Sequence, residues 1–276
     1  MSSQDLRWAT ADHTPDLLDE WITEQDRMDR MLAPYGERLL AAARIGSGER
    51  VIDIGCGTGA VTAHAAAHAM PGGTVVGIDL SAHMLAAAAR RSADVPGVSL
   101  VLGDAQTHPF DAGAHDVGIS RFGMGHFGDL VAALRNLRVA LRPGGRLTFV
   151  EWGDPAANEW MTLADRVGAA TLGGRWPARP HLTGGDEARL RAALGQAGFV
   201  EVSVATVTEP MWAGHTVPEV LAWFQTLPDS RPLRALSGPD RRAYLTALRA
   251  ELTARQGAAG VLLGGSALLV RARTVG

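Results

Sequence analysis

A doubly wound α/β sheet carrying helical insertions is the fold this chain predicts, and three observations predict it. Short β-branched apolar runs alternate with alanine-rich or amphipathic helical runs through the first 150 or so residues. The first run, Arg50-Val-Ile-Asp-Ile, passes straight into a glycine turn that opens a helix. Acids stand at the ends of three successive runs, as Asp53, Asp79 and Asp104. That row lies on the carboxyl edge of the strands, where open α/β sheets bind ligands.

Residues 1–45 are rich in acids and aromatics, and 21–32 read as an amphipathic helix, with Pro34 and then Gly46-Ser-Gly48 punctuating the chain. Residues 51–54 have the length and branching of a central parallel strand covered on both faces, and 60–68 continue as helix. Without side chains at Gly55, Gly57 and Gly59 the backbone can turn tightly and let a ligand sit against its N–H groups at the helix start. The spacing Gly-x-Gly-x-Gly is one residue short of the dinucleotide fingerprint, which together with Ala60 argues against NAD. The second strand, 74–80, ends in Asp79, about twenty residues past the turn, where a carboxylate grips a ribose diol and repels a 2′-phosphate. A purely structural role as a cap for the helix at 81–90 is the competing reading. The third strand, 98–104, ends in Asp104.

Two further runs, Val117-Gly-Ile-Ser-Arg-Phe-Gly123 and Leu141-Arg-Pro-Gly-Gly-Arg-Leu-Thr-Phe-Val150, read as strands four and five around a helix. A stretch rich in Trp, Gly and Pro then runs to Thr183. A helix at 186–196, an alternating strand at 199–207, helices at 218–226 and 239–256 and a last apolar strand at 260–270 complete the chain.

Through roughly residues 45 to 155, with traces to the C-terminus, these motifs resemble the class I S-adenosylmethionine-dependent methyltransferases. The resemblance implies a Rossmann-like, seven-stranded, mostly parallel sheet whose last two strands pair like a hairpin. It implies S-adenosylmethionine as cofactor and S-adenosylhomocysteine as product. In such enzymes the turn Asp53-Ile-Gly-Cys-Gly-Thr-Gly59 holds the methionine end, the acid at 79 the ribose, and the acid at 104 the adenine amino group. The implied cofactor set is Asp53, Gly55, Cys56, Gly57, Gly59, Asp79, Leu80, Met84, Gly103, Asp104, Ala105 and Ser120. The chain then divides into an N-terminal helical lid (1–45), the cofactor core (46–155), a substrate-side segment with the sixth strand (156–208), a helical lid insertion (209–260) and the last strand (261–276). The Ser-Arg-Phe-Gly segment and the late insertion are similar to family members that act on specialised metabolites.

Composition narrows the chemistry. The 276 residues, 46% hydrophobic, suit one large α/β domain. With 26 basic and 29 acidic residues the net charge is −3, so no global field draws the chain to nucleic acid or membrane. An Asn-Pro-Pro-aromatic motif and a basic stripe are both missing, which argues against nucleic-acid methylation. Every basic residue is Arg, which excludes a Lys Schiff base or a Lys general base. Cys56 is the only cysteine, so an internal disulfide is excluded and a cytoplasmic location is expected. A helix N-terminus can activate its thiol. A small residue filling a tight turn is the expected role, since redox work needs a partner cysteine. The first residues lack a signal-peptide core, and no apolar run is long enough to span a bilayer.

The substrate side is read from aromatics. Trp8, Trp21, Trp152, Trp160, Trp176, Trp212 and Trp223 all lie outside the first four strands, as suits a covered pocket for an apolar or aromatic small molecule, with about half packing helices instead. Trp8, Trp21, Arg121, Phe122, Trp152 and Trp212 are the candidate substrate contacts. Arg121 either holds an anionic group of the substrate or pairs with an acid such as Asp129. Methyl transfer is an in-line displacement that needs alignment and sometimes removal of a proton, and no metal. His126, just beyond strand four, is the candidate general base, with Glu151 at the end of strand five its rival and His13, His181 and His215 weaker ones. His64 and His68 share a helical face without the intervening Glu of a zinc protease, so no metal site is assigned.

The function expected is methylation of a small molecule, on O or N before C, by a monomer or homodimer. Two alternatives stand beside it: a cyclase or pericyclic catalyst that binds the same cofactor without donating methyl, and a non-catalytic cofactor-binding regulator. Product mass separates the first from methyl transfer.

Overall fold

The computed structural model describes residues 24–176, 184–226, 233, 236 and 238–276, so Trp8, His13, Trp21 and His181 lie outside the described residues. The strands are β1 (Arg50–Ile54), β2 (Thr74–Asp79), β3 (Val98–Leu102), β4 (His115–Arg121), β5 (Leu141–Trp152), β6 (Val200–Gly214), β7 (Gln256–Gly257) and β8 (Gly260–Arg273). They form one sheet in the order β3-β2-β1-β4-β5-β8-β6, with β7 paired beside β8. Five strands, β3 to β5 in that order, run parallel, and β8 is antiparallel to both β5 and β6. Seven strands were expected; the eighth is the two-residue β7. The order reverses between β1 and β4, which makes the crevice beyond their carboxyl ends the place for a ligand.

The helices are α1 (Gln25–Ala43), α2 (Ala60–Ala69), α3 (Ala82–Arg91), α4 (Leu130–Ala140), α5 (Glu159–Leu172), α6 (Glu187–Gln196), α7 (Val217–Thr226) and α8 (Gly238–Thr253). Because successive residues of a strand face opposite ways, each inner strand feeds two cores. Val51, Val75, Val117, Ile119 and Val150 pack with α1, α2, α5, α7 and α8. Ile52, Ile54, Ile78, Leu147 and Phe149 pack with α4 and α6.

Three local expectations are corrected. Pro34 does not end the first helix; α1 runs through it to Ala43. A proline inside a helix costs about 3 kcal/mol. The stripe Met28, Met31, Leu32, Tyr35, Leu39 and Leu40 is buried against the sheet, at about 1.5–3 kcal/mol for each large side chain, which outweighs that cost. Arg146 from β5 then closes the helix end by donating to the carbonyls of Ala43 and Arg44 at 2.6 and 2.7 Å.

The Trp-, Gly- and Pro-rich stretch hides α5. Leu163, Val167, Gly168 and Leu172 form its buried face, and the indole of Trp176 occupies the place where a Cβ on Gly168 would stand. The sixth strand continues past 207 to Gly214, so the first six residues assigned to the helical insertion are sheet. Pairing with β8 over its whole length satisfies the extra backbone groups. Among the described residues no helix is long and apolar enough to cross a membrane.

Candidate functional site

The turn between β1 and α2 is built by backbone proximity. Gly55, Gly57 and Gly59 have φ of 65, 55 and 80°, the left-handed region that favours glycine. Gly55 and Gly123, which follow β1 and β4, touch backbone to backbone: a Cβ on Gly123 would meet the Ile54 carbonyl and Ser120 Oγ, each at 2.7 Å. Ser120 is fully buried and donates to the Ile54 carbonyl at 2.7 Å, so it fastens β4 to β1 under the turn. Asp53 is likewise buried beneath the turn, where it accepts the Thr62 hydroxyl at 2.7 Å. Burial raises its pKa to about 7, against the opposing pull of Thr62 and the Arg121 charge.

Cys56 packs against Gly77 of β2, where a Cβ would stand 3.0 Å from its sulfur. Burial first, then the charges of Asp53 and Asp79, push the thiol above its ordinary range, which leaves it unreactive.

At the end of β2, Asp79 accepts the N–H of Gly57 at 2.8 Å and of Ser81 at 2.9 Å. The carboxylate therefore shapes the turn as well as facing the ligand edge, and each oxygen can accept more than one hydrogen bond. Ser81 caps α3 by accepting the N–H of Met84 at 3.2 Å, so the helix cap is the serine. Met84 is buried beside it, while Leu80 is 68% exposed, an apolar side chain standing at the sheet edge. The Gly103 N–H donates to the Asp79 carbonyl at 3.0 Å. Asp104 accepts the Gln106 N–H at 2.8 Å through Oδ1, and Ala105 is buried behind it. Glycine-lined backbone, a ribose-side carboxylate, an apolar face and a second carboxylate thus follow one another along one edge, and they fit an adenosyl sulfonium with a free amino acid end.

Beside that edge stands an aromatic wall. The rings of Phe122 and Trp152 stack at 3.8 Å, Tyr35 from α1 meets them edge-on at 5.5 and 6.3 Å, and Trp160 from α5 lies 5.3 Å from Trp152. Phe122 holds φ of 61° without being glycine, local strain of the kind that collects at functional sites. Among the described residues Trp160 Nε1 is buried without a hydrogen-bond partner, and the buried Tyr35 hydroxyl has none of ordinary geometry. Burial pushes the Tyr35 phenol up to about 12, so it stays neutral.

Glu151 and the wall sit on opposite faces of β5. Glu151 shares its face with Leu147 and Phe149, and Trp152 with Val150. Oε1 of Glu151 accepts the Trp152 N–H at 2.9 Å, and Oε2 is buried with no hydrogen bond of ordinary geometry among the described residues. Burial raises this carboxyl to about 7, offset in part by the backbone of Trp152 and Gly125. His126 is exposed on the short 3₁₀ turn Met124–His126 that follows β4.

Arg121 pairs with Asp29 of α1 at 3.4 Å and not with Asp129, which caps α4 by accepting the Ala132 N–H at 2.9 Å. Trp212 is not part of the wall: it lies under Arg30, donates to the Ala259 carbonyl at 3.1 Å and is edged by His215, while Met211 is the β6 residue beside Tyr35. Trp176 stacks on Tyr244 and Trp223 is buried against Phe224, so both pack covering helices. Sequence reasoning missed Tyr35, Thr62 and Asp29, and named Trp160 only among the seven tryptophans of the flanking segments. Tyr35 had a signal, since it puts a hydroxyl into the apolar stripe of α1.

A family model described as a methyltransferase domain matches residues 51–145. The chain is 34% identical over 236 residues to the nocamycin O-methyltransferase of Saccharothrix syringae, covering 80% of this chain and 84% of that one. It is 26% identical over 207 residues to a demethylmenaquinone methyltransferase of Staphylococcus saprophyticus, covering 69% and 89%. The crystal structure of YcgJ from Bacillus subtilis superposes with a TM-score of 0.58 over 88% of this chain and 99% of that one, at 18% identity, which shows a shared fold. With its glycine turn, its strand-end acids and this kinship, the chain belongs to the class I S-adenosylmethionine-dependent methyltransferases.

Proposed function

We propose that the protein methylates a small, flat, largely apolar or aromatic molecule, on oxygen or nitrogen, in specialised metabolism. The observation that carries this reading is the wall of Tyr35, Phe122, Trp152 and Trp160 beside the cofactor edge, lined by neutral polar groups and by a guanidinium, Arg121, already paired with a carboxylate. Such a surface holds a ring by its faces and offers a hydroxyl and an indole N–H to a carbonyl or ether oxygen. The relative from Saccharothrix syringae, named an O-methyltransferase, supports the same class of acceptor.

In this reading the turn at 55–59 receives the methionine end through its N–H groups, Asp79 the ribose hydroxyls and Asp104 the adenine amino group, with Leu80 against the base. The cofactor supplies an electrophilic methyl group on a sulfonium. The protein aligns the acceptor with it, excludes water beneath the covering helices and removes a proton where the acceptor carries one. His126, exposed on the turn after β4, is the side chain assigned to take that proton. Glu151, buried below, steadies the same turn. The N-terminal helix and the insertion close over the pair.

Incubation with S-adenosylmethionine and a panel of phenols, enols and quinols tests the reading. An acceptor heavier by one methyl group, with S-adenosylhomocysteine in equal amount, is the expected result. A rearranged product of unchanged mass would point to cyclisation.

A further inference from the structure

One turn of α1 is held from two sides. Toward the core, Asp29 Oδ2 pairs with Arg91 Nη2 of α3 at 2.5 Å and Oδ1 with Arg121 Nη2 at 3.4 Å. Arg121 also feels the charge of Asp53 beneath the glycine turn. Toward the insertion, the flanking arginines take over. Arg27 donates to the Ala213 carbonyl, pairs with Glu219 at 3.0 Å and lies 5.4 Å from the centre of the Trp223 ring. Arg30 covers Trp212 at 3.8 Å and bonds His215 Nε2 at 3.1 Å. Gly214 leaves room for this arrangement: a Cβ there would stand 2.9 Å from Arg27 Nη1. Two residues before Asp29 and one after it, the same helical turn therefore reaches the opposite neighbour.

We propose that Asp29 is a positioning residue for methyl transfer. It locks this turn of α1 to the cofactor core, so that occupancy of the cofactor edge is felt by residues 213–223 on the substrate side. The physical route is short and rigid: β1 and β4 hold Asp53 and Arg121, the carboxylate of Asp29 bridges two guanidiniums of the core, and Arg27 and Arg30 move with it as parts of one helix. A half-buried bridging carboxylate loses this function on amidation, because the neutral amide cannot balance two cations. The proposal rests on the cofactor reading given above.

The test uses the full chain, S-adenosylhomocysteine as probe, calorimetry for affinity and hydrogen exchange for residues 55–59 and 213–223. The wild type is expected to bind the probe and to slow in both segments. Asp29→Asn should bind within about fivefold of the wild type and slow at 55–59, yet lose most of the slowing at 213–223, the magnitude of an ordinary coupling between sites. Asp29→Glu should restore part of it. A wild type that binds the probe but does not slow at 213–223, or an Asp29→Asn protein that slows there as fully as the wild type, overturns the proposal and leaves the cofactor reading intact. A wild type that does not bind the probe overturns both. If Asp29→Asn fails to fold, the exposed Arg30→Gln replaces it: it must reduce the slowing at 213–223 at unchanged affinity, and full slowing overturns the coupling.

Discussion

Replacing Glu151 by Gln should change how stability depends on pH in a way no neighbouring group can imitate. The carboxyl is 4% exposed, and its pKa rises from 4.5 to about 7 because burial disfavours the anion. The folded state therefore binds this proton more tightly than the unfolded one. Stability from the protonated form is complete below about pH 4.5, declines as pH rises, and is lost once pH passes the folded value near 7. A rise from 4.5 to about 7, at about 1.4 kcal/mol per unit, makes the ionised group cost about 3 kcal/mol at pH 8. Glutamine has no such penalty. Denaturant unfolding of both proteins at pH 5 and pH 8, without cofactor, supplies the comparison. The stability of Glu151→Gln relative to wild type should improve by about 2.5 kcal/mol between the two pH values, because part of the cost is already present at pH 5, whatever its sign there. Asp53, also raised to about 7, cancels because both proteins carry it. A relative stability that stays flat between pH 5 and 8 would refute the reasoning, since the carboxyl would then be solvated or paired in the folded state.

Three further outcomes are expected. Asp79→Ala should weaken S-adenosylmethionine binding about tenfold or more, at roughly 1.5–3 kcal/mol per charged hydrogen bond lost, and unchanged affinity by calorimetry in a folded variant would remove the ribose role. His126→Gln should keep cofactor affinity and lower single-turnover methylation by about 10² to 10⁴ fold; an undiminished rate removes the base, and a collapse only in Glu151→Gln transfers it to the carboxylate. Gly123→Ala should destabilise by about 1–3 kcal/mol in thermal or denaturant unfolding, because the new Cβ meets the Ile54 carbonyl and Ser120 Oγ at 2.7 Å; a neutral effect would mean that the two turns separate easily.

What the chain determined by itself is local. β-branched runs such as Val51–Ile54 make buried strands, the glycines at 55, 57 and 59 admit left-handed backbone, and Asp79 and Asp104 fall at strand ends because the apolar runs stop there. The opposite facing of Glu151 and Trp152 was also legible, since strand neighbours always alternate. Which face each would occupy was not, because that depends on the helices packed there. The long helix through Pro34, the concealed α5 and the full length of β6 were decided by burial and strand pairing that repay local costs only in the assembled domain. The same holds for the site's second half. Tyr35, Phe122, Trp152 and Trp160 come from three elements and the turn after β4, spread over 126 positions of the sequence, and Asp29 meets Arg91 and Arg121 from 62 and 92 residues away. Contacts of that range leave no trace in spacing or composition. They exist only because a parallel sheet of this order brings the ends of β4 and β5 beneath one turn of the N-terminal helix.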